Sequence, residues 1–540
     1  MFKLSLKPWH QRLLLATLAG VCTFLAFERY VIVPLIFVAP YLFTRLSVSC
    51  PSPWSAFRWG ILSSYIIMAG VFYWITHVLG WFGQLSPMVS VGLFAGFSFI
   101  GELNFPLFTG LLSWCSQKMN WQNRRQPYRF GIWVSLGIPA LFTTIEWATP
   151  GLFPWQLGHS LYRSIWAIQI TEFTGVSFLS FALTSLSVTL GAVIWGLGGI
   201  KPLRRTLLVP IALWSLIGIV AWQRLSPTYL ESNPTKPLRV ALIQANIGSL
   251  QKLAARSGVQ SKIEFAVKRY FALTDQALSL TRRPELIVWP ETAMPFHFDV
   301  KNKSLERLHH AVNQWNIPLL TGGYARGPVI TRREYNSSAL LNPTPNGVES
   351  QLYHKHILLT FGEYLPWSDV FPSLNVRFPQ IANFMRGTQT TPFVLPDGTR
   401  IGVTICYEGI MPRFVRKIAN HGIQILVNLT NDSWFGETSE PYLHASLSVF
   451  RAVELRVPLV RVANTGTSML VDRWGRITSS TPIFEEAIVV ENINVPSVIK
   501  PTVYQTYGDW IQLFFALILI IHLVDYLLPI LASHTEVAHT

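Results

Sequence analysis

Runs of apolar residues long enough to cross a lipid bilayer fill most of residues 11–224 of this chain. A helix needs roughly 17 to 25 such residues to span the hydrocarbon core. One more run lies near the carboxyl terminus, and the stretch between is far more polar. The eight candidate spans are 11–27, 30–45, 59–80, 88–116, 130–148, 166–196, 206–224 and 509–531. They predict a membrane α-helical bundle joined to a polar domain, with the first span kept as an anchor because no small-x-small cleavage site follows it.

Lysine and arginine residues beside alternate spans predict the orientation of the bundle. If the amino terminus is cytoplasmic, all these clusters face the cytoplasm, as the positive-inside bias requires. The residues are Lys3, Lys7, Arg45, Arg58, Lys118, Arg124, Arg125, Arg129, Lys201, Arg204 and Arg205. The polar stretch 230–505 is then expected outside the cytoplasm. This topology explains much of the net charge of +15. A nucleic-acid partner is not predicted, because the sequence has no zinc-ligand spacing, basic helix or RNA-binding signature.

The predicted organisation has three parts. Residues 1–229 hold seven spans, residues 230–505 form the polar domain, and residues 506–540 form the last span and its tail. Strand and helix patterns alternate in the polar domain, and its strands are continuous apolar runs of the kind that sheets cover on both faces. The predicted strands are LRVALIQANI, ELIVWPE, PLLTGGYA, SSALLNP, RIGVTIC, IQILVNLT and TSMLVDRWG, and the predicted helices lie near 260–281, 304–316, 411–421 and 441–456. This pattern predicts an α/β domain.

A few polar groups interrupt the apolar half. They are Glu102, Asn104, Glu146 and Glu172. A carboxyl group in lipid needs a partner or a function, and hydrogen bonding between helices is at least as good an interpretation as catalysis. Pro154 breaks the helical pattern of LFPWQLGHS, residues 152–160, which predicts an external loop or re-entrant turn near the membrane surface.

The polar domain contains a single cysteine, Cys406, because the chain's other three cysteines lie in the apolar half. It cannot pair within its own domain and is expected to be a free thiol. Cys406 stands where the strand RIGVTIC meets a turn, and two other strand ends carry polar groups, Glu291 in VWPETAMP and Lys355 with Glu363 in LYHKHILLTFGEYLP. Taken singly, each has an ordinary structural interpretation, such as a capping glutamate, a surface lysine or a small buried cysteine.

Together and in this order, the three stretches resemble the nitrilase (carbon–nitrogen hydrolase) superfamily, whose Glu-Lys-Cys triad matches Glu291, Lys355 and Cys406. The flanking spans resemble its membrane-bound branch, the apolipoprotein N-acyltransferase family. Further matching stretches are ALIQANI, FGEYLP, NLTNDSWFG, HASLSVFRAVELRVPLVRVANTG and GLFPWQLGHS. The resemblance implies an αββα sandwich on the periplasmic side of a bacterial inner membrane, without cofactor or metal. One departure is Leu253, where the family often has tryptophan.

The chemistry of the triad also follows from its side chains. A cysteine attacks an ester as the thiolate, which the Lys355 ammonium favours, while Glu291 can take the proton. Attack creates an oxyanion, for which Lys355 and the backbone N–H of Tyr407 are the natural donors. Glu291 can then protonate the leaving group and deprotonate a second nucleophile. Glu363 and Glu408 are predicted to orient Lys355 or to shape the pocket, with a structural salt bridge as an equal alternative.

The resemblance implies the substrates. A membrane phospholipid would donate its sn-1 acyl chain to Cys406 as a thioester, and the acceptor would be the α-amino group of the S-diacylglyceryl cysteine of an apolipoprotein. Transfer outpaces hydrolysis only if water is excluded, and Trp434 and Phe435 are predicted to contact the substrate there. Two alternatives stay open: a membrane-anchored amidase that hydrolyses a small C–N substrate, and a non-catalytic lipid-binding membrane protein.

Other polar motifs have structural interpretations. The histidine pairs His354/His356 and His309/His310 suggest metal ligands, and the first pair would share a face if both residues lay on a strand. No cysteine or carboxylate set completes a site around either pair, so no metal is predicted. His444 and Arg451 are expected to pack and to form salt bridges, and the stretch 472–475 is expected to form a hairpin turn.

Overall fold

The computed structural model describes residues 7–27, 29–81, 83–118, 127–151, 153–197, 201–202, 204–231, 234–248, 259–280, 282–328, 333–377 and 381–537. Lys3, Arg124, Arg125 and Leu253 lie outside this set. The chain divides into two compact units, one of Met1–Thr76, Ser86–Ser226 and Tyr507–Thr540, the other of His77–Leu85 and Pro227–Thr506. The three-part division made from the sequence stays a prediction, and it did not foresee that His77–Leu85 belongs with the second unit.

The first unit is built from helices. Proline stands at the start of several of them because the first turn does not need its missing N–H group. The helices of this part of the chain are Pro8–Leu25, Val33–Phe37, Ala39–Ser49, Pro53–Val71, Trp74–Trp81, Pro87–Gly101, Asn104–Lys118, Pro127–Ile132, Trp133–Gly137, Ile138–Ala148, Leu157–Leu161, Ile165–Ile168, Thr171–Thr174, Ser177–Trp195, Arg204–Leu207, Leu208–Leu225 and Ile511–Val537. Trp74–Trp81 runs from the first unit into the second.

Helices of membrane-spanning length occur in this unit. Among the described residues, three are long and apolar enough by themselves, namely Tyr128–Ala148, Ser177–Trp195 and Arg204–Leu225. Two bent pairs raise the number to as many as five if each pair is one span: Pro53–Val71 with Trp74–Trp81, bent by 64°, and Pro87–Gly101 with Asn104–Lys118, bent by 43°. Val33–Ser49 and Ile511–Val524 are shorter apolar helices.

The predicted span at 166–196 is interrupted near its start. Two single-turn helices, Ile165–Ile168 and Thr171–Thr174, precede the long helix Ser177–Trp195. Gly175 lies between the second of these turns and the long helix. Its φ of +66° stops a right-handed helix, and glycine adopts this conformation without strain. The apolar composition was therefore sufficient to locate the segment but not its break.

The buried carboxyl groups of the first unit have structural partners. Glu102 accepts a hydrogen bond of 2.6 Å from the Trp155 indole, and Glu146 accepts one of 2.7 Å from the backbone N–H of Leu157. Glu172 pairs with the Arg224 guanidinium at 2.8 Å. These contacts favour the helix-bonding interpretation over a catalytic one, as expected for carboxyl groups among apolar helices.

The stretch around Pro154 is non-helical as far as Gln156, as predicted, and then forms the 3-10 turn Leu157–Leu161. That it is an external loop or a re-entrant turn near the membrane surface stays a prediction; His159, Ser160 and their neighbours are buried inside the helical unit. Apolar flanking residues allow this burial, and the Glu146 carboxylate accepts a hydrogen bond from the backbone N–H of Leu157 in the turn.

The second unit contains two six-stranded sheets. The first has the order β12-β1-β2-β3-β4-β5 and the second the order β11-β10-β9-β8-β7-β6. The strands are β1 Thr235–Gln244, β2 Leu286–Val288, β3 Leu319–Arg326, β4 Glu334–Thr344, β5 Gly347–His354, β6 Phe393–Val394, β7 Arg400–Ile405, β8 Ile425–Thr430, β9 Leu459–Ala463, β10 Met469–Val471, β11 Ile477–Ser480 and β12 Ala487–Pro496. The centre of each sheet is parallel, β1-β2-β3 in one and β7-β8-β9 in the other, and the outer pairs are antiparallel.

The two sheets pack face to face with helices outside them. Along β1, alternate residues serve different cores: Val240 and Leu242 join the core between the sheets, whereas Ala241 and Ile243 face helices. The helices of this unit are Pro227–Glu231, Gln260–Leu278, Lys303–Trp315, Ser373–Arg377, Cys406–Ile410, Pro412–Ala419, Asp432–Phe435, Glu440–Leu455 and Val503–Tyr507. The predicted α/β domain is confirmed as an αββα sandwich. The predicted turn at 472–475 links β10 to β11, but β6, β9 and β12 were not predicted.

Gly322 on β3 lies against the turn that carries Glu291. A Cβ atom at this position would come within 2.6 Å of the backbone nitrogen of Thr292 and 2.7 Å of the Cα of Glu291. Both atoms are backbone, so they can move aside only if the Glu291 turn moves. The missing side chain therefore allows β3 and this turn to approach closely.

We expect Gly322→Ala to push the Glu291 turn out of position and to lower the free energy of unfolding by about 1–3 kcal/mol, the usual cost of overpacking. Denaturant unfolding of the purified protein measures the loss. Gly248→Ala is the matched control, because no atom lies within 4 Å of its added Cβ. Equal stability of the two variants would show that the contact at Gly322 is not limiting.

Candidate active site

Three strand ends in the sandwich bring the predicted triad together. Glu291 follows β2, Lys355 follows β5 and Cys406 follows β7. The Lys355 Nζ lies 2.8 Å from an oxygen of Glu363 and 3.4 Å from an oxygen of Glu291. Cys406 lies close enough to interact electrostatically with both Glu291 and Lys355. All three triad side chains are buried, and Lys355 is only 1% exposed.

Asn336 on β4 completes this cluster. Its side-chain N–H donates to Glu291 at 2.7 Å and to Glu363 at 2.9 Å. It thus holds both carboxylates on the side where they meet the Lys355 ammonium. Asn336 was not predicted as a site residue, although an asparagine before the apolar part of a buried strand is a polar group that needs partners.

The backbone at Cys406 is strained. Its φ is +53°, in the left-handed region that a non-glycine residue rarely adopts. The carbonyl group of Cys406 accepts a hydrogen bond of 3.1 Å from the Asn428 side chain, which helps to hold this conformation. The chain turns sharply here from β7 into the 3-10 turn Cys406–Ile410. Strain of this kind persists where the surroundings hold it, and it is common at active sites.

Glu408 joins the lysine loop to the cysteine turn. Its carboxylate accepts backbone hydrogen bonds from Ile405 at 2.8 Å, from Ile357 at 3.0 Å and from His356. The Tyr353 hydroxyl donates to it at 2.8 Å. Burial raises the pKa of Glu408 to about 7, although these N–H groups favour the ionised form. Glu408 therefore fixes the distance between the two loops, whereas Glu363 contacts Lys355 directly.

A second buried polar network lies on the other side of Cys406. Asp432 accepts hydrogen bonds from His444 at 3.1 Å and from Arg461 at 2.9 Å. Ligand atoms of Cys406, Asp432 and His444 lie within 4.8 Å of one another, and these are residue types that zinc uses. Because Arg461 and His444 already satisfy the Asp432 carboxylate, the geometry fits an internal hydrogen-bond network better than a metal site. Arg451 pairs with Glu454 at 2.8 Å, in line with its predicted structural role.

The remaining predicted site residues lie around this centre. Tyr407 is half-buried against the core between the sheets. Trp434 is partly exposed and Phe435 is buried, both on the turn Asp432–Phe435, and their contact with substrate stays a prediction. The next residue, Gly436, has a φ of +66°, and a Cβ there would lie 2.6 Å from the His77 ring. His77 therefore packs beside this loop, a contact that was not predicted from the sequence.

The histidine pairs behave as structural residues. The strand β5 ends at His354, so the assumption that His354 and His356 share a strand face is wrong. His354 contacts the Ser337 hydroxyl at 2.8 Å, and burial lowers the pKa of both histidines. His309 and His310 lie on the helix Lys303–Trp315, which carries no residue of the triad.

Comparison with known proteins places this geometry in a family. Residues 239–500 match the carbon–nitrogen hydrolase family, and residues 19–189 match the apolipoprotein N-acyltransferase N-terminal domain. An apolipoprotein N-acyltransferase of Geobacter metallireducens is 33% identical over 504 residues, which cover 92% of this chain and 91% of that protein. The chain belongs to the apolipoprotein N-acyltransferase family. It is therefore a nitrilase-like acyltransferase with a helical amino-terminal region.

A second relative agrees with this family. An apolipoprotein N-acyltransferase of Bdellovibrio bacteriovorus is 29% identical and covers 87% of this chain and 86% of its own length. Among solved structures, a nitrilase-superfamily protein of Saccharomyces cerevisiae aligns at 20% identity with a TM-score of 0.37, covering 48% of this chain and 90% of its own.

The charges of this N-acyltransferase-family site oppose one another. Burial alone would lower the pKa of Lys355, but the carboxylates of Glu363 and Glu291 together raise it, so the side chain stays an ammonium. Burial raises the pKa of Cys406 well above its ordinary value, and Glu291 raises it further while Lys355 lowers it. Lys355 thus favours the thiolate, as expected, but burial and Glu291 outweigh its effect on the thiol pKa, so the resting sulfur is a neutral thiol.

We expect Glu291→Gln to move the pH profile of Cys406 alkylation to lower pH, because it removes a negative charge that raises the thiol pKa. Lys355→Met should move the profile to higher pH, because it removes the charge that lowers the thiol pKa. Iodoacetamide labelling of Cys406 across pH, followed by mass spectrometry, measures both shifts. A shift of both profiles in the same direction would contradict this electrostatic account.

Proposed function

We propose that this protein transfers an acyl chain from a membrane phospholipid to the α-amino group of the S-diacylglyceryl cysteine of apolipoproteins, through a thioester on Cys406. The observation that carries the proposal is the buried set of Glu291, Lys355 and Cys406 in a member of the apolipoprotein N-acyltransferase family. A ping-pong reaction follows from this set, because one nucleophile must serve a lipid ester first and an amine afterwards.

In the first half-reaction, Glu291 takes the Cys406 proton as the sulfur attacks the sn-1 ester carbonyl. A resting thiol with a raised pKa needs such a base at the moment of attack. The Lys355 ammonium and the backbone N–H of Tyr407 would stabilise the oxyanion, and loss of one donor of this kind typically costs about 10²- to 10³-fold in rate. Glu291 then returns the proton to the departing lysophospholipid oxygen, which leaves the acyl group on sulfur.

In the second half-reaction, the α-amine of the acceptor attacks the thioester. An α-amino group has a pKa near 8, so an appreciable fraction is neutral at pH 7. Glu291 takes a proton from the attacking amine and returns it to the Cys406 sulfur as the amide forms. Glu363 and Asn336 keep Lys355 and Glu291 in place during both steps. Exclusion of water from the thioester favours transfer over hydrolysis.

An exposed apolar segment after Lys355 supports a lipid substrate. Five apolar side chains between residues 361 and 376 are 59–82% exposed: Phe361, Trp367, Val370, Phe371 and Val376. Such clustering is unusual on a surface that faces water alone, and it is common where a protein meets a membrane or partner. Tryptophan favours the interface between lipid and water. We propose that this segment contacts the bilayer and admits the phospholipid.

The proposed topology completes the assignment. Seven spans within residues 1–229 and one within 506–540 would hold the catalytic domain, residues 230–505, at the periplasmic face of a bacterial inner membrane. The apolar helices and bent helix pairs of the first unit support this arrangement, and so does the position of basic residues such as Arg45, Arg58 and Lys118 beside alternate spans.

Incubation with labelled phospholipid should add the mass of one acyl chain to Cys406, and addition of a diacylglyceryl lipopeptide should transfer that mass to its amine. Intact-protein mass spectrometry measures both steps. Cys406→Ala should form no adduct because it lacks the nucleophile, and Cys406→Ser is the control that keeps a weaker nucleophile of nearly the same size.

The same assay separates the alternatives. Release of ammonia from small amides, without transfer to the lipopeptide, would support the amidase reaction and contradict the proposal. Retention of lipid without a covalent adduct would support a non-catalytic lipid-binding protein. An undiminished adduct in Cys406→Ala would exclude this cysteine as the acyl carrier.

We expect Trp367→Ser with Phe371→Ser to slow acyl-enzyme formation from phospholipid vesicles, about tenfold or more, because burial of two aromatic side chains in lipid is worth several kcal/mol. Transfer from a short-chain ester dissolved in detergent should be nearly unchanged. Val498→Ser is the matched control, since Val498 is 59% exposed and lies outside the segment. Equal losses of rate with both donors would show that these residues support the fold rather than the access of lipid.

A further inference from the structure

Thr430 ends β8 directly beside the nucleophile. In the parallel pairing of β7 with β8, Ile405 lies opposite Leu429; the next residues are Cys406, which begins the turn after β7, and Thr430, which ends β8. The Thr430 side chain is fully buried, and its hydroxyl donates to an Asp432 carboxylate oxygen at 3.1 Å. A carboxylate oxygen of Asp432 lies within 4.8 Å of the Cys406 sulfur, and Thr430 lowers the pKa of the Cys406 thiol. Thr430 therefore links the reacting sulfur to a buried carboxylate that the proposed mechanism does not use.

Asp432 is held in a fixed position. Arg461 contacts one of its oxygens at 2.9 Å, and His444 contacts the other at 3.1 Å. Arg461 is itself anchored by the Asn428 side chain at 2.6 Å and is fully buried. Burial alone would raise the pKa of Asp432, but Arg461 and His444 hold it below its ordinary value. The carboxylate is therefore a permanent acceptor beside Thr430.

A hydroxyl group has one proton, so Thr430 can donate to Asp432 or to sulfur but not to both at once. While the sulfur is a neutral thiol, the Asp432 carboxylate is the stronger acceptor. When the sulfur becomes anionic, the balance changes: Asp432 keeps its bonds from Arg461 and His444, whereas the thiolate gains a charge-assisted hydrogen bond. Rotation of the hydroxyl moves no proton between residues and breaks no covalent bond.

We propose that Thr430 is a further catalytic residue, whose hydroxyl turns from Asp432 to the Cys406 sulfur when the thiolate forms and turns back when the sulfur is acylated. Asp432 acts through Thr430 and is a positioning residue. The inference rests on the proposed function, since it assigns Thr430 to the same acyl-transfer reaction. It gives the thiolate a donor from the second sheet, whereas Lys355 approaches from the end of β5 in the first sheet.

The charged groups around the sulfur determine what an experiment must separate. Glu291 and Asp432 raise the thiol pKa, whereas Lys355 and the Thr430 hydrogen bond lower it. Only Thr430 among these carries no charge. Loss of its hydroxyl therefore changes a hydrogen bond to the sulfur without removing an ion pair, which makes it the cleanest group to test.

Thr430→Val removes the hydroxyl at nearly constant volume, and Thr430→Ser keeps it. We expect Thr430→Val to move the pH profile of Cys406 alkylation to higher pH and to slow acyl-enzyme formation about 10- to 100-fold, the range for a hydrogen bond to a charged group. Thr430→Ser should stay close to the unsubstituted protein in both measurements. Thr399→Val is the matched control, because Thr399 is also fully buried but precedes the opposite end of β7.

An alkylation profile of Thr430→Val that coincides with those of the unsubstituted protein and Thr399→Val would overturn the inference. If Thr430→Val does not fold, Thr430→Ala removes the same hydroxyl without a methyl group against Asp432, and the same comparison applies. The alkylation profile requires no lipid, so it tests Thr430 even if no thioester forms with phospholipid. Absence of a thioester in the unsubstituted protein would instead contradict the proposed function.

Discussion

A lysine ammonium held out of water between two carboxylates is the interaction on which the candidate active site depends. An unpaired buried charge is strongly unfavourable, so Lys355 can be 1% exposed only because Glu291 and Glu363 both reach it. Asn336 bonds both carboxylates and keeps them together. Loss of any one partner leaves a charge or an acceptor unsatisfied, which is why residues from β2, β4 and β5 must be placed together.

The two-sheet architecture meets this requirement and adds Cys406, the proposed nucleophile, from the second sheet. Both sheets have a parallel centre, so the carboxyl ends of their strands carry the turns on which reactive side chains stand. Glu408 then ties the turn after β7 to the loop after β5 through three backbone N–H groups. A buried carboxylate thus sets the position of the sulfur relative to the lysine, while the strained backbone at Cys406 determines its direction.

Burial also controls when the sulfur reacts. A free thiol with a raised pKa is a poor nucleophile at rest and resists oxidation, because both reactions require the thiolate. The groups around the sulfur have opposite effects on its pKa: Glu291 and Asp432 raise it, whereas Lys355 and Thr430 lower it. In the proposed mechanism, the sulfur therefore stays unreactive until a substrate is present and Glu291 takes the proton.

The sequence by itself determined the residue types and the class of fold. Apolar runs located the helices, continuous apolar strands predicted the α/β domain, and Glu291, Lys355 and Cys406 each stood at the end of a strand. These predictions succeed because hydrophobic periodicity and strand-end position are local properties of a chain. For the same reason, apolar composition located residues 166–196 but could not reveal the break at Gly175.

Only the tertiary structure decided which distant groups meet and what that does to their charges. Asn336 contacts Glu291 across 45 residues of chain, and Arg461 contacts Asp432 across 29. No local pattern encodes such contacts, because they depend on strand order and on the packing of two sheets. The neutral state of Cys406 has the same origin. A nearby lysine favours a thiolate, but burial, which only the folded structure reveals, raises the thiol pKa more than the lysine lowers it.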